Sequence, residues 1–268
     1  MRNYLLITMV LLAFGSCKTT PKDQYELVWS DEFDYTGLPD STKWSYDTLG
    51  NAWGWGNHEL QYYTANRIEN AEVSNGTLKI RAIKEDWNDF NYTSARIITK
   101  EKGDWLYGRF EIRAKLPDGK GLWPAIWTLS TDWEYGGWPR SGEIDIMENV
   151  GYDPDTIIAS VHTESYNHVK GTQHSTRISL PDNRAEFHVY GLEWDSVSVS
   201  VFVDDSTYFT FDKESNDWNV WPFDKRNHLL LNLAVGGDWG GKYGVDETAF
   251  PAIMEVDYVR IYQKKTDK

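Results

Sequence analysis

Apolar side chains alternate with polar ones in several short runs of this chain, and this period constrains the fold more than any other feature. Residues 77–83, 109–116 and 197–203 place an apolar side chain at every second position, as a strand with one buried face does. Residues 228–235 are apolar almost throughout, which predicts a strand covered on both faces. Residues 254–262 are interpreted as a closing strand.

Turn signals separate these runs and indicate the fold class. They include Asn75-Gly76, Pro181-Asp182 and Gly236-Gly237, which are typical of connections between antiparallel strands. The sequence shows no long run with the 3.6-residue period of an amphipathic helix. Its 268 residues fit one large domain better than two small ones. Together these features predict an all-β sandwich of two antiparallel sheets.

The segment "SGEIDIMENVG" carries three acidic side chains within six positions. On a strand, Glu143 and Asp145 share one face, whereas strict alternation would turn Glu148 into the core. Because a buried, unpaired carboxylate is costly, we predict a β-bulge at Ile146-Met147 that returns Glu148 to the face of Glu143.

Three clustered carboxylates cannot all ionise without a penalty. Two unit charges about 5.5 Å apart repel by about 3 kcal/mol at an effective dielectric constant of about 20. One of the three should therefore keep a proton near neutral pH, and a protonated acid beside an ionised one is what a retaining glycosidase requires. A solvated acidic strand face and a Ca²⁺ site are the alternatives that the spacing alone leaves open.

Charge and composition narrow the class of ligand. A net charge of −14 and a pI of about 4.8 disfavour nucleic acid and anionic lipid as partners and leave neutral ligands open. Aromatic residues make up 15% of the chain, and their ring faces can pack against the C–H groups of a sugar.

Residues 1–17 are interpreted as a lipoprotein signal peptide. Arg2 precedes an apolar run that is too short to span a bilayer, and the run ends in "FGSC", which resembles a bacterial lipobox. Cys17, the only cysteine, would carry the lipid; ordinary signal cleavage beside an incidental cysteine is the alternative. Residues 18–25 are expected to form a short tether and 26–264 a single domain. The sequence thus predicts an exported bacterial lipoprotein of the cell envelope, at the outer membrane or secreted, that touches a membrane only through its lipid.

"GEIDIMENVG" resembles the active-site signature of glycoside hydrolase family 16, in its bulged form with one extra residue before the last Glu. The resemblance continues, in order, through "LVWSDEFD", "NHELQYYT", "YGRFEIRAKLPDGKGLWPAIWTL", "HVYGLEWD", "NLAVGGDWGG" and "VDYVRIYQ". It is strongest to the bacterial laminarinases, the endo-1,3-β-glucanases of that family, because the lichenase branch lacks the extra residue Met147. The implied fold is a concanavalin-A-like β-jelly-roll sandwich with a concave substrate cleft, and residues 26–264 would be its catalytic domain.

The resemblance also implies a role for each acidic residue. Glu143 corresponds to the nucleophile that forms the glycosyl-enzyme. Glu148 corresponds to the acid/base, which protonates the leaving oxygen and then activates water. Asp145 corresponds to the residue that hydrogen-bonds the nucleophile and tunes its protonation.

Further residues match positions that contact the sugar chain in the family. The aromatic ones are Trp123, Trp127, Trp138 and Trp239, for which a place in the core is the alternative. Asn57 and Arg96 resemble residues that hydrogen-bond sugar hydroxyls, although Arg96 could equally be a surface charge. His162 is expected on the strand beside the catalytic one, near the leaving group, or else as a structural histidine.

Family members often carry a structural Ca²⁺ on the convex side, away from the cleft. The matching positions are Glu32, Gly76 through its carbonyl, and Asp257, and oxygen ligands of this kind suit the ion. No cofactor is expected to take part in catalysis.

The sequence thus predicts a monomeric, retaining endo-hydrolase of laminarin-type 1,3-β-glucan. Mixed-linkage β-glucan or a galactan is the alternative substrate, but "GLWPAIW" and "GGDWGG" supply aromatic rather than basic side chains, which favours a neutral glucan over a sulfated galactan. A non-catalytic carbohydrate-binding protein on the same sandwich is the alternative from another class. Transglycosylation is not separated from hydrolysis by the sequence.

Overall fold

The structure is a computed structural model that describes residues 24–265. This part of the chain consists mainly of strands, with short 3₁₀ segments at Leu49–Gly56 and Glu247–Ala249. The strands are β1 (Tyr25–Asp31), β2 (Ser45–Tyr46), β3 (Gln61–Tyr63), β4 (Ala71–Ser74), β5 (Thr77–Trp87), β6 (Phe90–Ser94), β7 (Arg96–Ile98), β8 (Asp104–Trp105), β9 (Gly108–Lys115), β10 (Leu122–Ser130), β11 (Glu143–Val150), β12 (Asp153–His162), β13 (His174–Ser179), β14 (His188–Trp194), β15 (Ser198–Val203), β16 (Ser206–Asp212), β17 (Asn227–Val235) and β18 (Ala252–Lys264).

The strands form two sheets. The ten-stranded sheet has the order β16-β15-β14-β9-β18-β5-β6-β3, with β1 beside β18 and β4 beside β5. The eight-stranded sheet has the order β13-β12-β11-β10-β17-β7-β2, with β8 beside β17. Pairing is antiparallel apart from the short parallel contact between β3 and β6, which the sequence pattern did not indicate. The predicted two-sheet sandwich is confirmed.

Alternation of apolar side chains builds the core between the sheets. β5 buries Leu78, Ile80 and Ala82, and β15 buries Val199 and Val201, which are the alternate positions predicted from the sequence. β17 is buried along all nine of its residues, as its continuous apolar run predicts. Each large apolar side chain buried in this way stabilises the fold by about 1.5–3 kcal/mol relative to exposure.

The Asn75-Gly76 turn joins β4 to β5 as predicted. Both residues have positive φ, 53° and 77°, a conformation that asparagine and glycine adopt more readily than other residues.

β1 begins at Tyr25, the last residue of the expected tether, and Tyr25 pairs with Lys264. The carbonyl of Gln24 also accepts a hydrogen bond from Lys265 N at 2.9 Å, which fixes the entry of the chain to β18. The predicted signal peptide, Cys17 and the tether up to residue 23 lie outside the described residues. Within residues 24–265, no helix has both the length and the apolar character needed to cross a membrane.

Candidate active site

A bulge in β11 sets the direction of its acidic side chains. Against β10, Asp145 lies opposite Trp127 and the ladder resumes at Met147, so that the pairing skips Ile146. Against β12, the register shifts between Asp145 and Glu148. Ile146 and Met147 both lie in the core. The bulge predicted at Ile146-Met147 is therefore present.

The bulge leaves the three carboxylates on the face of the eight-stranded sheet that points away from the core. The side chain of Glu143 is 15% exposed and that of Asp145 only 4%. Burial and the negative charges of Asp145 and Glu148 hold the pKa of Glu143 well above its ordinary range. Positive charge on His162 and Arg96 opposes this rise. A proton is thus easily retained within the cluster near neutral pH.

Glu148 is oriented by a tryptophan. Nε1–H of Trp123 donates a hydrogen bond of 3.1 Å to Oε1 of Glu148. Burial and the charge of Asp145 raise the pKa of Glu148 to about 8, although His162 and the indole N–H both lower it. A carboxyl group with this pKa keeps its proton at neutral pH, which is the state required of a general acid.

Asp145 lies between the two glutamates and titrates with them. Burial raises the pKa of Asp145 to about 8, and a hydrogen bond with Glu143 opposes the rise. Because the three groups are coupled, their protons belong to the cluster rather than to one residue.

His162 lies on β12 directly opposite Glu143, on the neighbouring strand as predicted. Its Nε2 is 3.3 Å from Oδ2 of Asp145 and 3.9 Å from Oε1 of Glu143. The imidazole is buried, so water screens its interaction with the carboxylates only weakly. Its predicted position near the leaving group stays a prediction.

Arg96 is buried on β7, so the surface-charge alternative is wrong. Its guanidinium lies between the rings of Trp55 and Trp127, 4.3 and 4.6 Å from their centroids. Its Nε is 3.2 Å from Oδ2 of Asp47. Stacking on both faces, together with the ion pair, holds the plane of the guanidinium fixed.

The tryptophans of β10 share the outer face of the sheet, as their four-residue spacing predicts. Nε1–H of Trp127 donates to Oδ1 of Asn232 on β17 at 2.7 Å. Trp239 meets Trp123 edge to face, with ring centroids 5.1 Å apart. Both rings of β10 are partly exposed beside the carboxylates, so the core alternative is wrong for Trp123 and Trp127.

Trp138 lies on the opposite side of β11 from Arg96. It is 37% exposed, and its ring lies 4.9 Å from that of His168 and 6.0 Å from that of His162. Aromatic surface is therefore available on both sides of β11.

Asn57 belongs to a buried polar network. Its Nδ2 donates to Oε1 of Glu59 at 3.1 Å, and Nε2 of Gln61 donates to Oε2 at 2.6 Å. Burial raises the pKa of Glu59, and these two hydrogen bonds oppose the rise. The hydroxyl of Tyr63, 3.5 Å from Glu59, accepts a hydrogen bond of 3.1 Å from Asn232. The network thus ends at the residue that holds the Trp127 indole.

Several residues around the site were missed by the sequence reasoning. They are Asp47, Trp55, Glu59, Asn232, His168 and Tyr208. A signal existed for Glu59, a charged residue among aromatic and apolar neighbours in "NHELQYYT". No comparable signal marks the others, because each reaches the site through contacts between distant parts of the chain.

The two carboxylates expected to bind Ca²⁺ both pair with arginine. The carboxylate of Glu32 pairs with Arg260 at 2.7 Å, and that of Asp257 pairs with Arg113 at 2.5 Å. Gly76 lies in the β4–β5 turn. With both carboxylates engaged by arginine, these residues do not fit the ion as they are arranged here, and the calcium site stays a prediction.

Comparisons with known proteins agree with this geometry. The family described as Glycosyl hydrolases family 16 matches residues 57–260. A β-glucanase of Rhodothermus marinus is 52% identical over 98% of this chain and 95% of its own length. The crystal structure of the laminarinase from Rhodothermus marinus has a TM-score of 0.88 and 54% identity, covering 90% of this chain and 98% of that chain. A mutant of a non-specific endo-β-1,3(4)-glucanase of the same family, co-crystallised with 1,3-β-D-cellotriosyl-glucose, has a TM-score of 0.87 and 47% identity, covering 92% of this chain and 97% of that chain.

Proposed function

The chain belongs to the glycosyl hydrolases of family 16, and from this membership we propose that it is a retaining endo-hydrolase of 1,3-β-glucan. The observation that carries the proposal is the bulge in β11, which directs Glu143 and Glu148 to the same side of one strand. A nucleophile and a proton donor on one face can act on a single glycosidic bond.

In the first step, an ionised oxygen of Glu143 attacks the anomeric carbon. The glycosidic C–O bond breaks, its electron pair goes to the leaving oxygen, and the proton of Glu148 is transferred to that oxygen. The product is an ester between Glu143 and the sugar. The raised pKa of Glu148, about 8, keeps this proton available at neutral pH.

In the second step, Glu148 acts as a base. It removes a proton from water, the water oxygen attacks the anomeric carbon, and the ester bond to Glu143 breaks. Two inversions give net retention, and Glu148 regains the proton that it lost. A sugar hydroxyl in place of water would give transglycosylation.

Asp145 and His162 prepare the nucleophile. Asp145 shares a hydrogen bond with Glu143, and Nε2 of His162 lies within 4 Å of both carboxylates, at 3.3 and 3.9 Å. A proton held by Asp145 or positive charge on His162 lowers the cost of ionising Glu143. These groups favour the ionised form of Glu143, the form that attacks, while another carboxyl group of the cluster keeps its proton.

An internal cleavage site requires sugar contacts on both sides of the reacting bond. Arg96 and Trp127 offer such contacts on the β10–β17–β7 side of β11, and Trp138 offers them on the β12 side. This two-sided arrangement supports endo rather than exo cleavage. The aromatic lining supports a neutral glucan.

Product analysis on laminarin, lichenan and agarose tests the reaction and the linkage together. Oligosaccharides of retained configuration from laminarin are expected, with less from lichenan and none from agarose. Equal release from laminarin and lichenan would replace the 1,3-specific proposal by a mixed-linkage one. Binding of laminarin without release of products would identify a carbohydrate-binding protein instead.

A matched pair of variants separates the roles of the two glutamates. Glu143→Gln should keep glucan binding but lose about a thousandfold or more in kcat. In Glu143→Gly, added azide can attack from the vacated side and give a glycosyl azide of inverted configuration. In Glu148→Gly, azide should react with the glycosyl-enzyme and give the retained configuration. Swapped outcomes would exchange the two assignments.

The N-terminal segment supports an exported, lipid-anchored location for the same enzyme. Cys17 follows an apolar segment in a lipobox-like sequence. Cys17→Ser should move the protein from the membrane fraction to the soluble exported fraction. Unchanged membrane association would refute lipidation. Size-exclusion chromatography of the released protein should give the mass of a monomer.

A further inference from the structure

The catalytic face presents a set of atoms that can ligate a metal ion. Within residues 24–265, Glu143, Asp145 and His162 form the one group of three His, Cys, Asp or Glu side chains whose ligand atoms all lie within 4.8 Å of one another. Nε2 of His162 is 3.3 Å from Oδ2 of Asp145 and 3.9 Å from Oε1 of Glu143. Ligands of a tetrahedral zinc ion, bound at about 2.0–2.1 Å, stand about 3.4 Å apart. Small side-chain movements would therefore close the three atoms around an ion.

A second observation points to a ligand at this place. The side chain of Asp145 is only 4% exposed, and its buried Oδ2 has no hydrogen-bond partner among the described residues. This oxygen faces Nε2 of His162. Nδ1 of His162 likewise lacks a partner in this part of the chain, so no hydrogen bond fixes the ring in the tautomer that would block Nε2. A cation between Nε2 of His162 and the carboxylates would give Oδ2 of Asp145 a partner.

We propose that Glu143, Asp145 and His162 bind a divalent transition-metal ion such as Zn²⁺ or Co²⁺, and that this ion and the glucan exclude each other. Two carboxylate oxygens and one imidazole nitrogen are a mixed ligand set that favours these metals. Ca²⁺ takes six or more oxygen ligands, and Mg²⁺ requires near-octahedral oxygen coordination, so three ligands of this kind suit neither ion.

The rigidity of the sheet favours binding without a large rearrangement. Glu143 and Asp145 stand on one strand, and His162 is the ladder partner of Glu143 on the next. Glu143 remains 15% exposed, so water can reach the ion and complete its coordination. The exclusion of glucan rests on the proposed function: the ion blocks catalysis because it occupies the carboxylate of the proposed nucleophile, Glu143.

Cobalt titration of the metal-free full chain tests the site without relying on turnover. Co²⁺ should bind at one equivalent and give the visible absorption bands of a four- or five-coordinate ion. Zn²⁺ should displace it and raise the melting temperature, whereas Ca²⁺ at the same concentration should do neither. Displacement of Co²⁺ by Ca²⁺, or an octahedral cobalt spectrum, would overturn the proposal.

Variants locate the ion. His162→Gln and Asp145→Asn should each weaken Co²⁺ binding at least about tenfold, since each removes one of three ligands. His58→Asn is the matched control, because His58 belongs to an exposed pair with Asp238 and is not one of the three ligands, and it should bind Co²⁺ as the wild type does. Wild-type affinity in both ligand variants would disprove the site.

Competition in the wild type gives a test that does not depend on the folding of variants. A 1,3-β-glucan oligosaccharide should release bound Co²⁺, and Zn²⁺ inhibition should be relieved by added substrate and by a chelator. Simultaneous binding of ion and oligosaccharide would contradict mutual exclusion. A protein that binds Co²⁺ through His162 but cleaves no glucan would overturn the proposed function and leave the metal site standing.

Discussion

The hydroxyl of Tyr208 donates a hydrogen bond of 3.3 Å to the carbonyl of Ile146, the residue that the β11 ladder skips. Tyr208 lies on β16 in the ten-stranded sheet, so this bond crosses the core to the back of the catalytic strand. A bulge disturbs the ladder around its extra residue and leaves polar backbone atoms to be satisfied in another way. Tyr208 thus supports the irregularity that directs Glu148 outward.

Replacing Tyr208 with Phe should disturb catalysis from behind the site. Phe keeps the ring but leaves the Ile146 carbonyl without its hydrogen bond, at a cost of about 1–3 kcal/mol in the free energy of unfolding. The bulge should then become less well ordered, and kcat should fall about tenfold because Glu148 is less well placed. Urea unfolding and steady-state kinetics measure the two effects.

Tyr190→Phe is the matched control for this prediction. The hydroxyl of Tyr190 is also buried, but it has no hydrogen-bond partner among the described residues. Its removal should therefore leave kcat unchanged and should not lower stability. Equal losses in both variants would mean that Tyr208 acts through general packing and does not support the bulge.

The indole of Trp123 should set the alkaline limit of activity. The general acid must be protonated, so kcat/KM should fall as the pH rises past the pKa of Glu148, which is about 8. The hydrogen bond from Trp123 favours the charged carboxylate and so lowers this pKa. Trp123→Phe removes the donor, so the alkaline limb of the kcat/KM profile should move to higher pH.

Trp127→Phe separates this effect from the loss of a sugar contact. Trp127 lies on the same face of β10, but its indole donates to Asn232 and not to Glu148. Both variants should raise KM, and only Trp123→Phe should move the alkaline limb. An alkaline limb that moves in neither variant would show that the Trp123 indole does not tune the pKa of Glu148.

The acidic cluster should reduce stability at the pH where the enzyme works. Because the folded-state pKa of Glu148 is raised to about 8, its contribution to stability is full below the unfolded-state pKa of about 4.5 and is lost as the pH rises toward 8. Glu148→Gln removes this titration. The variant should exceed the wild type in free energy of unfolding by at least about 1 kcal/mol at pH 8, and this advantage should vanish at pH 4.

Urea denaturation at the two pH values measures this difference. Glu186→Gln is the control, because Glu186 is exposed and should show no advantage that grows with pH. An advantage of Glu148→Gln that is the same at pH 4 and pH 8 would mean that ionisation of Glu148 is not the cause.

Much of this site follows from local rules. The two-residue period predicts the strands, and the cost of burying a carboxylate predicts the bulge before any contact is known. The same period places Trp123 and Trp127 on one face. The position of His162 opposite Glu143 also follows once β11 and β12 are taken as neighbours.

The remainder depends on contacts that no local pattern specifies. Alternation shows that Tyr208 belongs to a strand, but it does not show which backbone atom of the other sheet its hydroxyl will meet. The stacking of Arg96 on Trp55 depends on how the 3₁₀ segment Leu49–Gly56 folds back over β7. The carboxylate of Glu59 accepts hydrogen bonds from Gln61 and Asn57, two residues away on either side. This local arrangement forms because residues 57–61 are held against β17.

Arg96 should act on the nucleophile both as a charge and as a stacked plane, and the two contributions can be separated. Its positive charge lowers the pKa of Glu143. Arg96→Met removes that charge, so Glu143 should ionise at higher pH and the acidic limb of the kcat/KM profile should move upward. Arg96→Lys keeps the charge but loses the planar contact with two rings. It should lower kcat/KM about tenfold through KM while leaving the acidic limb in place.

Arg226→Lys controls for a general effect of replacing arginine, because Arg226 is exposed and pairs with Asp132 at 2.9 Å. An exposed ion pair contributes at most about 1 kcal/mol to the free energy of unfolding, so that variant should stay folded and keep wild-type kinetics. An acidic limb that moves equally in Arg96→Lys and Arg96→Met would mean that stacking, by fixing where the charge lies, is what tunes Glu143. An acidic limb that moves in neither Arg96 variant would show that Arg96 does not tune the pKa of Glu143. Arg96 would then remain only a sugar-binding residue.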